Sequence, residues 1–221
     1  MVASRGNPAE IRQPVPRLYL VTPQAVSDLA GRLTEALGAA DIAAILLRTP
    51  DDSDKHGMVN EAKALAPMVQ GKGTALLLEG TADLVARAGA DGAHLHGVES
   101  LKLSLPALKP DHIAGCGRLA TRHDAMLAGE AGADYVMFGE PGMPQQRASF
   151  QAIQERVAWW AELFEIPCVG FAQSFEQIEP LAAAGADFVA IGDFVFADRR
   201  GCAVAVADAA RRLAAGNDSV Q

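Results

Sequence analysis

Residues able to do chemistry stand at the ends of short apolar runs in this chain. Arg48 closes Ala43-Ala44-Ile45-Leu46-Leu47, where a guanidinium is costly to bury without a partner. It suits the anionic end of a ligand, or an ion pair with Glu79 or Asp51. Glu79 ends Leu76-Leu77-Leu78, and Glu99 follows His94-Leu95-His96-Gly97-Val98. Two carboxylates after neighbouring strands offer hard oxygen ligands to Mg2+. His94 and His96 lie two residues apart, so an extended backbone turns both to one side. With Glu99 they resemble a zinc site, the alternative being ordinary buried histidine. In Thr121-Arg122-His123-Asp124 the outer pair has the spacing of a capping box. That leaves Arg122 and His123 for anion binding or proton transfer. Glu140, after Phe138-Gly139, is a further acid or base alongside His94 and His123. Asp51-Asp52-Ser53-Asp54 reads as a solvated loop and helix cap, or a second place for a metal.

The elements that must position these groups alternate between β and helical character. Strands are expected at 18–22, 42–48, 74–78, 92–95, 112–116, 135–138, 167–171 and 188–191, several of them continuously apolar, as for strands covered on both faces. Helical period falls in 27–37, 59–69, 82–88, 124–131, 150–164, 175–184 and 203–214. Eight strands alternating with helical segments imply one α/β domain, a (β/α)8 barrel over residues 17–215. Residues 1–16, with Pro8, Pro14 and Pro16, are expected to form an extended arm, and 216–221 a flexible tail. The repeat Ala88-Gly89-Ala90-Asp91, Ala131-Gly132-Ala133-Asp134 and Ala184-Gly185-Ala186-Asp187, with a weaker copy at Gly38-Ala39-Ala40-Asp41, precedes every second strand. Its Gly stops a helix in the left-handed conformation, and its Asp sits at the barrel bottom, where such residues serve stability. Trp159 and Trp160 are about 100° apart on a helix, so only one faces the core and the other suits an oligomer contact.

A net charge of −8 works against nucleic acid and anionic membranes, leaving small molecules or proteins as partners. No segment approaches the ~18 uninterrupted apolar residues of a membrane span, and Met1 to Arg17 has no apolar signal core. Cys116, Cys168 and Cys202 are too far apart for a metal motif, so reduced thiols in a cytoplasmic protein are expected, the first two buried in strands.

The chain resembles the thiamine-phosphate synthase and thiazole tautomerase family over roughly residues 17–195. The likeness runs through Leu18-Tyr19-Leu20-Val21-Thr22, Leu47-Arg48, Gly89-Ala90-Asp91-Gly92-Ala93-His94-Leu95, Gly132-Ala133-Asp134-Tyr135-Val136, Ile166-Pro167-Cys168-Val169 and Gly185-Ala186-Asp187-Phe188-Val189-Ala190. It implies a barrel that joins a pyrimidine pyrophosphate to a thiazole phosphate with magnesium, or one that aromatises the thiazole by proton transfer. It also implies a site at the carboxyl ends of the strands. By this resemblance Arg48, Arg118, Arg122, Gly139, Gly170, Gln173 and Gly192 bind a phosphorylated substrate. Arg48, His94, His123 and Glu140 carry the chemistry, and Glu79 and Glu99 hold Mg2+.

The rim departs from the family. Leu46-Leu47-Arg48-Thr49-Pro50 keeps the Arg of Gln-Leu-Arg-x-Lys and loses the rest, Glu79-Gly80 replaces Asn-Asp, and Gly117-Arg118-Leu119-Ala120 replaces Ser-Thr-His. Glu140 and Asp193 stand where phosphate would approach, and Arg147 is the nearby cation. Three readings follow: a synthase; a related enzyme such as a tautomerase acting on another small phosphorylated ligand; and a non-catalytic binder of thiamine precursors, any of them a possible homo-oligomer. The rim is expected to be acidic, with Glu79, Glu99, Glu140 and Asp193 calling for a divalent ion or cationic ligand. Three of the four turning away from the mouth would sink that expectation.

Overall fold

The computed structural model describes residues 15–48, 55–140 and 148–218. Eight parallel strands close a barrel in chain order: β1 (Arg17–Val21), β2 (Ile42–Leu47), β3 (Ala75–Glu79), β4 (Gly92–His96), β5 (Ile113–Gly117), β6 (Tyr135–Phe138), β7 (Cys168–Phe171) and β8 (Phe188–Ile191). Each lies within one residue of its expected bounds. Outside them run α1 (Leu29–Ala39), α2 (Lys55–Gln70), α3 (Val85–Ala88), α4 (Val98–Leu108), α5 (Arg122–Ala131), α6 (Phe150–Leu163), α7 (Ile178–Ala183), α8 (Asp193–Phe196) and α9 (Cys202–Asp218). The proposed arm, apart from its last two residues, and the Asp51–Asp54 stretch lie outside the described residues, as does Arg147. Of the expected tail, residues 216–218 continue α9.

Sequence reading missed α4. Leu101, Leu103 and Leu105 alternate with polar residues as a strand would, yet only Leu101 and Leu108 of this helix are buried and Leu103 stays exposed. α8, a single turn after β8, was also missed.

Two apolar layers hold the barrel. Residues on alternate strand positions, among them Tyr19, Leu46, Leu77, Met137, Val169 and Phe171, fill the interior. The intervening positions, such as Leu20, Ile45, Leu76, Leu78 and Val136, pack against the helices. Trp160 is buried, stacks on Phe164 and donates from Nε1 to the Ile166 carbonyl at 2.7 Å. Its neighbour Trp159 is half-buried and covered by this chain's own Arg122, whose guanidinium lies 4.9 Å from the ring centre. All three cysteines are buried, and burial pushes the Cys116 and Cys168 thiols up to about 12.

The repeated Asp residues are fasteners. Asp187 accepts the Cys168 amide at 2.8 Å through Oδ2 and returns its own amide to the Cys168 carbonyl at 3.1 Å. Asp91 does the same with Leu76, and Asp134 with Ala114. In the weaker copy Asp41 takes a two-pronged contact from Arg17, at 2.9 and 2.8 Å. The preceding glycines, Gly89, Gly132 and Gly185, have φ of 68°, 107° and 92°, the left-handed stop expected of them.

Removing one fastener leaves a buried strand amide unpaired. Asp187→Ala should therefore lower unfolding free energy by ~1–3 kcal/mol, measured by urea denaturation, with ligand affinity unchanged. A loss under ~0.5 kcal/mol, the ordinary range for a surface change, would show the carboxylate to be incidental.

Candidate functional site

Strand alternation decides which groups reach the carboxyl-end mouth of the barrel. Glu79 lies beside His94 in register, His94 beside Gly115, and His96 beside Gly117. Inward positions of β3, β4 and β5 thus stack an acid and two imidazoles against two residues without side chains. Arg48 follows β2, and its backbone is fixed because its amide donates to Oγ1 of the fully buried Thr22 at 2.9 Å.

Glu79 is the hub. Its Oε2 lies 3.4 Å from Nε of Arg48, and its Oε1 lies 3.3 Å from Nε2 of His96. The Arg48 side chain is only 10 % exposed, and its Nε is buried without a hydrogen-bond partner. Burial alone would raise the Glu79 carboxyl, but the His96 hydrogen bond and the Arg48 charge together hold it below its usual range.

His94 is buried beneath them. Its Nδ1 meets the Tyr135 hydroxyl at 2.9 Å, and Tyr135 meets the Tyr19 hydroxyl at 2.9 Å, an unbroken polar thread inside the barrel. Burial first, then the neighbouring His96, drops His94 to about 3, so it is a neutral imidazole at working pH. Tyr135 fits only because residue 115 is glycine: a Cβ there would overlap its ring.

Glu140, just beyond β6, is 12 % exposed. It accepts the Arg118 amide and lies 3.5 Å from that residue's Nε. Arg118 adopts a left-handed φ of 52°, a conformation costing roughly 1 kcal/mol for a residue with a Cβ, and this aims its amide at the carboxylate. Burial raises Glu140 to about 7, against the opposing pull of Arg118. Gly117 separates the two sides: a Cβ there would lie 2.6 Å from Nε2 of His94 and collide with Oε1 of Glu140.

Arg48, Glu79, His94, Arg118 and Glu140 therefore converge. Glu99 does not join them: it is 86 % exposed in the first turn of α4 and pairs with Lys102. Asp193 is exposed as well. Two of the four expected rim acids thus face solvent and two face the mouth. Thr121 and Asp124 form the expected capping box on α5. Within its first turn His123 is exposed and Arg122 lies on Trp159. Gly139, with φ 75°, packs on Ile153, and Gly170 turns its open side to Leu181 of α7, away from the mouth. The Gln173 backbone amide, in the bend after β7, donates to the Gln177 side-chain oxygen at 2.8 Å, and Gly192 lies against Phe171 and the Val21 carbonyl.

Sequence reading gave no role to Tyr19, Tyr135 or Gly117, nor to the loop after β1. Residues 23–27 of that loop, with Arg48 and Glu61, line a cavity of about 430 Å³. The signal available was the inward register of the two tyrosines, Tyr19 and Tyr135, in otherwise largely apolar strands.

Comparison with known proteins bears on this arrangement. The family described as thiamine monophosphate synthase matches residues 18–195. A thiamine-phosphate synthase of Rhodospirillum centenum is 37 % identical over 87 % of this chain and 95 % of its own length. That of Hyphomonas neptunium is 34 % identical over 88 % and 92 %. A thiamine phosphate pyrophosphorylase from Pyrococcus furiosus superposes with a TM-score of 0.75 at 18 % identity, covering 92 % of this chain and 98 % of that one, which shows the common fold.

The raised Glu140 carboxyl has a consequence for stability. Its folded-state value, about 7, exceeds the ordinary 4.5, so the stability it carries is complete below pH ~4.5 and is lost as pH rises through ~7. Between those limits the protein should lose on the order of 3–4 kcal/mol relative to Glu140→Gln, since a tenfold change in proton affinity on folding is worth about 1.4 kcal/mol. Urea unfolding at stepped pH in metal-free buffer measures this. Parallel profiles for the two proteins would mean that Glu140 ionises normally.

Proposed function

The chain belongs to the thiamine monophosphate synthase family, and on that premise we propose that it joins a pyrimidine pyrophosphate to a thiazole phosphate, expelling pyrophosphate, in thiamine biosynthesis. At residue level one observation carries this reading: a nearly buried guanidinium, Arg48, whose Nε makes no hydrogen bond among the described residues, on the wall of a cavity of about 430 Å³. A cavity of this volume is of the size that holds a small ligand. A fixed guanidinium there suits a phosphate or pyrophosphate oxygen better than a point charge does.

The reaction needs negative charge stabilised as pyrophosphate departs. Arg48 supplies a cation from one side of the mouth and the exposed Arg118 from the other. The acids cancel this only in part. Glu79 is already matched by Arg48 and His96, and Glu140 holds a proton for much of the time near neutrality. The mouth is thus less negative than its composition implies. On the same reading the substrates are phosphorylated small molecules met in the cytoplasm; among the described residues no helix is long and apolar enough to cross a membrane.

Magnesium, implied by the family resemblance, does not fit the pair Glu79 and Glu99. Glu79 has both oxygens engaged by Arg48 and His96, while Glu99 faces solvent beside Lys102. A second reading, proton transfer on a thiazole, is favoured by one feature: a carboxyl titrating near 7 across Gly117 from a neutral imidazole. The carboxyl is of a kind that exchanges protons at working pH, while the imidazole stays neutral beside it.

Thermal shift and calorimetry with thiazole phosphate, pyrimidine pyrophosphate, thiamine phosphate and inorganic pyrophosphate test the synthase reading, since a ligand of the native state stabilises it. Arg48→Ala should weaken the phosphorylated ligands by ~2–3 kcal/mol, and Arg48→Lys should also weaken them, because an ammonium lacks the two-pronged contact. Affinity unchanged in both variants would leave Arg48 as a structural ion pair to Glu79 and remove the residue-level support.

A further inference from the structure

Three donors at the mouth are given no ligand by the synthase reading. One ligand atom each from His94, His96 and Glu140 lies within 4.8 Å of the other two. We propose that these residues form a binding site for a first-row transition ion of the zinc class, distinct from the family's magnesium carboxylates.

The donor chemistry points to that class. Two imidazole nitrogens and one carboxylate oxygen suit Zn2+, Co2+ or Ni2+, whereas Mg2+ favours all-oxygen surroundings. Bonds of ~2.0–2.2 Å to a common tetrahedral ion put the donor atoms roughly 3.3 Å apart, so donor separations of up to 4.8 Å must close by at most about 1.5 Å, which side-chain rotation supplies. Gly117 keeps that space open, since a Cβ there would press on both His94 and Glu140.

Each donor is also held from behind. His94 contacts the Tyr135 hydroxyl through Nδ1; with the proton there, the Nε2 lone pair faces Glu140. His96 meets the Glu79 carboxylate through Nε2, which leaves Nδ1 for an ion. Glu140 is oriented by the Arg118 amide. Outer partners of this kind, a carboxylate behind an imidazole above all, fix the tautomer and aim of metal ligands. Three protein ligands also leave a fourth coordination position for water or a ligand, as in reactive rather than structural zinc sites.

The test reads binding alone, so it stands or falls separately from the synthase reading. Tag-free, chelator-treated protein is titrated with Co2+, followed by its visible absorption, and the Co2+ is then displaced with Zn2+ or Mg2+. One equivalent of Co2+ should bind, Zn2+ should displace it stoichiometrically, and Mg2+ in hundredfold excess should not. His96→Gln, at a side chain 23 % exposed and so tolerant of change, should weaken Zn2+ by more than ~100-fold, and Glu79→Gln by roughly tenfold as a partner outside the ligand set. Glu140→Gln is the second ligand variant, should His96→Gln not fold. Absence of Co2+ and Zn2+ binding by the unmodified protein, or equal affinity in the ligand variants, would overturn the proposal.

Discussion

A carboxylate at the top of an apolar barrel needs its charge answered on the spot, and most of the mouth is arranged around answering it for Glu79. The strand beneath, Ala75 to Leu78, offers no polar help. The partners come from the strands on either side, Arg48 after β2 and His96 in β4. Arg48 can serve only because Thr22 pins its backbone. His96 brings His94 with it two residues earlier, one turn of the pleat deeper, and His94 in turn requires the Tyr135 hydroxyl as a partner for its buried nitrogen. Tyr135 occupies space that Gly115 vacates. One buried charge thus accounts for residues on β2, β3, β4, β5 and β6.

The second mouth acid meets a different environment, and the contrast gives the site its chemical asymmetry. Glu79 has charged partners that outweigh its burial, so it stays ionised. Glu140 has an amide and a more distant guanidinium that do not, so it keeps its proton to near neutrality. Neighbouring carboxyls driven in opposite directions mark the division between a fixed anion and a group that can exchange a proton. Here that division follows from which strand end bears a cation on the inward side.

How much of this was legible in the sequence depends on whether the information is local. Strand positions were readable because covered strands are continuous apolar runs, and the Asp fasteners because they repeat with their glycines. The Arg48–Glu79 pair was also within reach, as one of the alternatives open to a charge ending an apolar run. The magnesium pair was not recovered: Glu99 follows Gly97, where the chain turns out of the strand into α4, and so loses the inward register that spacing alone suggested. The His94–His96 dyad was legible from its two-residue spacing, with Glu99 as the expected third ligand, but the group that it forms with Glu140 was not, for a related reason. It joins β4 to the end of β6 across a glycine of β5, and no separation along the chain encodes that distance. α4 itself was hidden by leucines at strand-like intervals.

The Asp fasteners divide the molecule arithmetically. They tie β1 to β2, β3 to β4, β5 to β6 and β7 to β8, the first through Arg17 and the other three through a strand amide. Among the described residues no carboxylate of the repeat spans the seams between β2 and β3, β4 and β5, β6 and β7, or β8 and β1. The barrel is therefore four quarter-units, each carrying its own clasp. A unit duplicated or exchanged at those seams would arrive with its fastening complete, whereas a break inside a unit would part an Asp from the strand it secures. In such a chain the grain of the fold runs between pairs of strands, and new sequence enters along it most cheaply.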